Sequence, residues 1–181
     1  MLISTLATAQ NAEMEAIQKT ITEVFAGTDA RNWTQVENAF AEQVLLDYTS
    51  LAGGEAVQLT PQEITDNWKK VLPGFDRTQH SIFDFEMDIQ NQEAKVLHKG
   101  KADHFLGSGV DNSWTVIGNY ELHLIQEDQV WKIDHMKFNL EEIQGNNDLP
   151  RLAQETVQSA QAFQAGLNII SFQSQGTSRQ Q

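Results

Sequence analysis

The residues of this 181-residue chain that could carry acid–base chemistry are an aspartate, three histidines and two tyrosines. Histidine takes up or gives a proton near neutral pH, and a neighbouring carboxylate can hold its tautomer. A tyrosine hydroxyl or a second histidine can donate a hydrogen bond to a developing enolate oxygen. Such a set is suited to removing a proton next to a carbonyl group. The six residues are Asp29, Tyr48, His80, His98, His104 and Tyr120.

Asp29 follows Ile21 and Phe25 at steps of four, which places its carboxylate at the core end of an apolar helical stripe. Most aspartates at such a position point into water or cap a turn. A buried carboxylate needs a partner. Asp29 is therefore either a solvent-facing helix-end residue or a buried acid that orients a histidine.

His98 and His104 share one face of a predicted strand with Val96, Ala102 and Leu106, opposite a row of lysines. This alternation predicts that both imidazoles point inward. In a regular strand their Cα atoms lie roughly 20 Å apart, at about 3.3 Å per residue. The two histidines therefore cannot share one metal ion, and we expect only one of them to serve a given pocket.

His80 begins a run in which strict alternation would place it on the acidic face, opposite Phe83 and Phe85. A bulge or bend near Ser81 would be needed to turn its ring inward. The sequence leaves a surface position and a pocket position equally open. Tyr48 and Tyr120 lie on apolar strand faces, where each is either a core aromatic or a donor inside a cavity.

The chain lacks a glycine-rich phosphate loop, a nucleophile elbow and the HExxH and CxxC motifs. We therefore expect no cofactor and no metal ion. A metal held by His80, His104 and Asp29 is a weaker alternative, because these residues do not have a standard ligand spacing.

The elements that must position these residues are helices at the start of the chain and strands after them. Apolar residues at helical spacing, from Met14 to Phe25 and again from Trp33 to Phe40, predict two helices, and Thr60, Pro61 and Glu63 form a capping box for a third. A further helix is expected over Leu149–Leu167. Period-two alternation predicts an antiparallel meander and therefore an α+β domain. The predicted strands are Val44–Thr49, Ser81–Ile89, Ala94–Leu106, Trp114–Leu124 and Val130–Ile133.

The composition indicates one globular domain, with 40% hydrophobic and 20% charged residues. A net charge of −13 disfavours binding to nucleic acid or to an anionic membrane surface. The absence of cysteine fits a reducing compartment, and the N-terminus lacks the basic region of a signal peptide, so we expect a cytoplasmic protein. A one-sided sheet leaves a face to cover, which favours a homodimer or homotrimer.

Several short motifs occur in an order that resembles the SnoaL-like group of the nuclear-transport-factor-2 (NTF2-like) superfamily. They are Thr28–Trp33, Phe40–Glu42, Leu46–Tyr48, an RxxH element at Arg77–His80, a GxY element at Gly118–Tyr120 and a closing strand at Val130–Ile133. The resemblance spans roughly Glu13 to Leu140. It implies a cone: a curved mixed or antiparallel sheet with N-terminal helices packed on its concave face around a cavity. The corresponding boundaries are a domain at 1–147, a helical extension at 148–170 and a mobile tail at 171–181.

Within that group the chain is most similar to the scytalone dehydratase family. The similarity implies that His104 is the general base and acid, that Asp29 holds its tautomer, and that His80 and Tyr48 bind or polarise a carbonyl. A tyrosine that precedes the aspartate in that family is replaced by Thr28 here. The polar residue of the later strand falls on Asn119 or Tyr120. The expected substrate contacts are Trp33, Phe83, His98, Asn119 and Tyr120.

These features predict a cofactor-independent lyase or isomerase that acts on a small hydrophobic carbonyl compound. The alternatives are a non-catalytic small-ligand-binding protein on the same cone and an association module whose cavity is filled by side chains. Side chains of Asp29 and His104 within hydrogen-bonding distance, facing a cavity, would favour the enzyme.

Overall fold

The computed structural model describes the backbone of residues 2–176 and the side-chain environment of residues 10–165. The helices are α1 (Leu2–Asp29), α2 (Trp33–Ala39), α3 (Thr49–Ala52), α4 (Pro61–Trp68) and α5 (Leu149–Gly176), and a 3₁₀ helix spans Leu72–Gly74. The strands are β1 (Phe40–Asp47), β2 (Val57–Leu59), β3 (Arg77–Gln90), β4 (Glu93–Phe105), β5 (Ser113–Glu127) and β6 (Val130–Gly145). The predicted α+β class is confirmed.

The strands form a six-stranded sheet in the order β2-β1-β6-β5-β4-β3. Strands β3 to β6 make the expected antiparallel meander, whereas β1 runs parallel to β6, so the sheet is mixed. β6 continues to Gly145, well beyond the expected end at Ile133, because its far half pairs with β5 as far as Trp114. This register places Trp114 opposite His104 and Tyr120 opposite His98.

Helix α1 packs its apolar stripe against the sheet. Ile17, Ile21 and Val24 are fully buried, and Phe25 is almost so. Complete burial of an aliphatic side chain stabilises a fold by about 1.5–3 kcal/mol, so this stripe anchors the helix firmly. Because the helix ends one turn after Phe25, its last residue, Asp29, lies beside the start of β3.

A bulge in β3 changes which residues face the helices. The register to β4 shifts between Phe83 and Glu86, and Asp84 takes a left-handed backbone conformation with φ 56°. His80 and Ile82 therefore point to the concave side before the bulge, and Phe85 does so after it. The bulge lies a few residues after the position near Ser81 that the sequence indicates. Strict alternation wrongly placed Phe83 with Phe85, since Phe83 is 43% exposed on the outer face.

Helix α4 begins as its sequence predicts. The Thr60 hydroxyl accepts a hydrogen bond from the backbone amide of Glu63, and the Glu63 carboxylate accepts one from the amide of Thr60. This capping box satisfies amides that would otherwise lack partners at the helix start. It fixes α4 so that Trp68 and the following 3₁₀ helix reach the concave side of the sheet.

Helix α5 docks on the 3₁₀ helix through its first turns. Leu149 and Ala153 form a small buried cluster with Phe75. A Cβ atom at Gly74 would lie 1.9 Å from the carbonyl oxygen of Ala153, so only glycine permits this approach. The helix continues to Gly176, into the segment for which the sequence predicts a mobile tail, and residues 177–181 lie outside the described part of the chain. In residues 2–176, no helix is both long and apolar enough to cross a bilayer.

Candidate active site

A cavity of about 350 Å³ lies between the concave face of the sheet and the helices that cover it. Its lining is mainly apolar and aromatic and includes two imidazoles and two phenols. No lysine, arginine, aspartate or glutamate is among the lining residues that the structure describes. The titratable side chains in the described lining are those of Tyr48, His80, His104 and Tyr120.

The Asp29 carboxylate pairs with His80. The Nδ1 atom of His80 lies 2.7 Å from Oδ1 of Asp29, and the backbone amide of His80 donates to Oδ2 at 2.7 Å. A carboxylate only accepts, so Nδ1 carries a hydrogen, and in the neutral imidazole Nε2 carries the lone pair. The expectation that Asp29 holds the tautomer of His104 is corrected, because the bulge in β3 turns His80 inward and brings it to the end of α1.

Asp29 is held in its ionised form. Burial by itself would raise the pKa of Asp29, but the hydrogen bonds and charge of His80, together with the Thr78 hydroxyl, outweigh it and lower the pKa below 3.8. The Thr78 hydroxyl donates to Oδ1 at 2.9 Å. The carboxylate therefore accepts three hydrogen bonds and stays negative at neutral pH.

His104 lies in a different environment. Its Nδ1 donates to the carbonyl oxygen of Trp114 at 3.2 Å, and its ring packs between Phe75 and Trp114 with ring centroids 4.9 and 4.7 Å away. Burial, together with the charge of His80, lowers the pKa of His104 to about 4. His104 is therefore neutral at pH 7, and its Nε2 is a hydrogen-bond acceptor. Its ring centroid lies 6.0 Å from that of His80.

Two phenols lie in the cavity lining, where the Tyr48 hydroxyl donates to the Sδ atom of Met136 at 3.7 Å. Burial raises the pKa of Tyr48 to about 12, although the neighbouring Tyr120 hydroxyl acts in the opposite direction. Burial also raises the pKa of Tyr120, and Tyr48 raises it further. Both hydroxyls therefore keep their hydrogens across the physiological pH range. The Tyr120 ring lies over Gly100, where a Cβ atom would approach its Cε2 atom to 2.6 Å.

His98 lies behind the cavity wall and does not line it. It is 2% exposed, and its ring stacks between Phe85 and Tyr120 with both centroids 4.9 Å away. Nδ1 donates to the carbonyl oxygen of Lys99 at 3.0 Å. The inward orientation predicted for His98 and His104 is correct, but the predicted substrate contact of His98 is replaced by support of the Tyr120 ring.

Three other predicted substrate contacts lie away from the cavity. The Asn119 side chain points to the outer face and donates to Glu141, which leaves Tyr120 as the residue of this pair that lines the cavity. Phe83 is on the outer face because of the bulge. Trp33 packs against the core at the start of α2, beneath the ammonium group of Lys69. None of these three side chains can touch a molecule in the cavity without rearrangement.

Sequence reasoning overlooked the residues that support the His80–Asp29 pair. Thr78 and Arg31 belong to motifs that the sequence displays, but neither was assigned a role, because their contacts join segments 47 residues apart. Phe25 was recognised only as a core residue, yet its ring lies 5.4 Å from His80 and 5.1 Å from Tyr120. Among the described residues, no group of three potential ligands could hold a metal ion.

Comparison with known proteins identifies the family of this chain. The sequence model of the SnoaL-like domain matches residues 10–137, which is most of the chain. The chain belongs to the SnoaL-like family. This finding confirms the family that the order of the short motifs predicts. A search of curated proteins yields no match.

Solved structures share the NTF2-like cone with this SnoaL-like chain. The Kfla4162 protein from Kribbella flavida is 18% identical, with 78% of this chain and 99% of that chain covered and a TM-score of 0.73. A candidate scytalone dehydratase from Novosphingobium aromaticivorans is 16% identical, with 78% and 92% covered and a TM-score of 0.68. The hexachlorocyclohexane dehydrochlorinase LinA-type3 from Novosphingobium barchaimii is 15% identical, with 76% and 92% covered and a TM-score of 0.64. At these identities the similarity establishes the fold.

Proposed function

We propose that this SnoaL-like protein is a cofactor-independent lyase or isomerase that removes a proton next to the carbonyl group of a small, uncharged, hydrophobic molecule. The observation that carries the proposal is the 2.7 Å contact between His80 and Asp29 in the wall of an apolar cavity. A histidine steadied by a carboxylate is a base suited to neutral pH. His80, rather than His104, takes the role of base.

In the proposed reaction, Nε2 of His80 takes the α-proton of the substrate. The electrons of the C–H bond form a carbon–carbon double bond, and the carbonyl oxygen becomes an enolate. Tyr48 and Tyr120 donate hydrogen bonds to that oxygen, which lowers the energy of the transition state. If the substrate has a β,γ double bond, the enolate is a dienolate, and return of the proton to the γ-carbon re-forms the carbonyl and completes an isomerisation. In a dehydration, the carbonyl re-forms while a β-hydroxyl group leaves with the proton from His80 as water.

His104 has a supporting role in this scheme. Because it is neutral and donates through Nδ1 to the Trp114 carbonyl, its Nε2 can accept a hydrogen bond from a substrate hydroxyl. Such a contact would hold a leaving hydroxyl group near the base. The low pKa of His104, about 4, prevents it from competing with His80 for the substrate proton at neutral pH.

The proposal is tested with a ketone of suitable size, 2-tetralone, in D₂O. Exchange of its α-protons is followed by NMR, which measures proton removal without knowledge of the natural substrate. We expect the wild-type protein to accelerate exchange and His80→Gln to reduce the acceleration by about 10²–10⁴-fold, the usual contribution of a positioned base.

The chain provides a matched control. His123 pairs with Asp134 at 2.6 Å but lies on the outer face of β5, away from the cavity. His123→Gln should leave exchange unchanged. If 2-tetralone binds but its exchange is equally slow with wild type, His80→Gln and His123→Gln, the protein is a ligand-binding member of the family and the enzymatic proposal is wrong.

A further inference from the structure

Arg31 joins three elements around the base. It lies in the link after α1, in a left-handed conformation with φ 57°. Nη1 donates to the carbonyl oxygen of Thr28 at 2.7 Å and to the Thr78 hydroxyl at 2.8 Å, and Nη2 donates to the carbonyl oxygen of Leu72 at 2.6 Å. One guanidinium thus connects the end of α1, the start of β3 and the 3₁₀ helix.

These hydrogen bonds have a fixed direction. A guanidinium can only donate, so the Thr78 oxygen must accept from Arg31. The single hydrogen of Thr78 is then free to point at Oδ1 of Asp29, 2.9 Å away. Thr78 is buried, so water does not compete for this hydrogen. The chain of donors runs from Arg31 through Thr78 to Asp29.

Arg31 is not placed to bind substrate. It is absent from the cavity lining, and its two terminal nitrogens are used by protein acceptors. Leu72, whose carbonyl it binds, does line the cavity, as does Phe75, which packs on His104. The hydrogen bonds of Arg31 therefore connect Leu72, in the cavity wall, to the Thr78 hydroxyl beside the His80–Asp29 pair, on the side away from the cavity.

We propose that Arg31 is a positioning residue that aims the Thr78 hydroxyl at Asp29 and ties the 3₁₀ helix to the His80–Asp29 base. This inference depends on the proposed function, because it assigns a role relative to that base. The titratable groups facing His80 are Asp29 from α1 and His104 from β4, with Arg31 as the nearby cation. Tyr48 and Tyr120 line the same cavity.

The test measures 2-tetralone exchange against pH for Arg31→Met, Arg31→Lys, Thr78→Val and Thr78→Ser. We expect Arg31→Met and Thr78→Val each to lower the second-order rate constant by about 10–100-fold, the range for a hydrogen bond to a charged group. Loss of the cation or of the donor also favours imidazole protonation, so the acidic limb of the profile should move to higher pH. Arg31→Lys should leave the pH at which the acidic limb falls unchanged. Thr78→Ser should leave both the second-order rate constant and the acidic limb unchanged.

The double variant Arg31→Met/Thr78→Val should be no slower than the worse single variant, because both changes break one chain. Arg151→Met is the matched control, since Arg151 pairs with Glu155 on the exposed face of α5. An unchanged limb and a rate within twofold of wild type for Arg31→Met and Thr78→Val would overturn the inference. The inference would also be overturned if the rate losses of the two single variants multiplied in the double variant.

Two further outcomes separate this inference from the proposed function. If His80→Gln loses exchange while Arg31→Met and Thr78→Val behave as wild type, the base is correct and only the role of Arg31 is wrong. If His80→Gln retains exchange, the proposed function fails first. Should Arg31→Met not fold, as judged by circular dichroism, the comparison of Thr78→Val with Thr78→Ser decides the result.

Discussion

Asp29 contacts His80 through both of its carboxylate oxygens. One oxygen accepts from the ring nitrogen and the other from the backbone amide of the same residue, each at 2.7 Å. This double contact fixes the ring relative to its own strand, so the imidazole cannot turn without breaking its hydrogen bond to Oδ1 of Asp29. In the proposed reaction, a base held in this way loses little conformational freedom when a substrate binds.

Replacing Asp29 by Asn should lower 2-tetralone exchange by about 10²–10⁴-fold. The asparagine keeps the shape but brings an NH₂ group against the donors of His80 and Thr78, which disfavours the tautomer that leaves Nε2 free. NMR exchange rates at pH 7 measure the effect. Asp134→Asn, in the outer-face pair with His123, is the control and should behave as wild type. Equal rates for the two variants would contradict the role of Asp29.

The burial of His104 should make stability depend on pH. Its pKa is about 4 in the folded protein and 6.5 when exposed, so the unfolded chain binds more protons between these values. The stabilising effect is complete above pH 6.5 and is lost as the pH falls towards 4. We expect His104→Phe to remove up to about 3 kcal/mol of this dependence, at 1.36 kcal/mol per pKa unit.

Urea unfolding at pH 7.5 and pH 4.5 measures this dependence for wild type and His104→Phe. Other groups titrate in the same range, so the quantity of interest is the difference between the two proteins. If the free energy of unfolding changed between the two pH values by the same amount in His104→Phe and in wild type, the imidazole would not be kept neutral by burial.

Removal of the phenol hydroxyls should slow proton removal without shifting its pH dependence. The pKa of Tyr48, about 12, keeps the hydroxyl protonated throughout the range from pH 6 to 9. Tyr48→Phe and Tyr120→Phe should each reduce exchange of 2-tetralone by about 10–100-fold, because a donor to the enolate oxygen is lost. A change in the limb of the pH profile would instead mean that a phenol acts as the base.

Among the residues that the structure describes, the cavity lining contains no lysine, arginine, aspartate or glutamate, which predicts a preference for uncharged ligands. The neutral dye 1-N-phenylnaphthylamine should bind about tenfold or more tightly than the sulfonate 8-anilinonaphthalene-1-sulfonate, because an anion would lose its hydration without gaining a cationic partner. Fluorescence titration measures both affinities. Ala102→Phe, which fills the cavity from β4, should abolish binding of the neutral dye. Equal binding of both dyes to this variant would place them outside the cavity.

Local patterns predicted much of this fold correctly. The stripe from Ile17 to Phe25, the capping box at Thr60 and the alternation of β4 and β5 depend on neighbours in sequence, so they can be read without coordinates. The same alternation failed in β3, where a left-handed Asp84 has no distinctive sequence signal and reverses the faces on either side of it.

The sequence by itself determined which residues could do chemistry, the family to which the chain belongs and the strand faces of His98 and His104. Only the tertiary structure decided which imidazole the acid of α1 meets. Asp29 and His80 are 51 positions apart, and their contact depends on the length of α1, the start of β3 and the bulge after it acting together. Periodicity describes one element at a time, whereas a hydrogen bond between two elements depends on how both are packed.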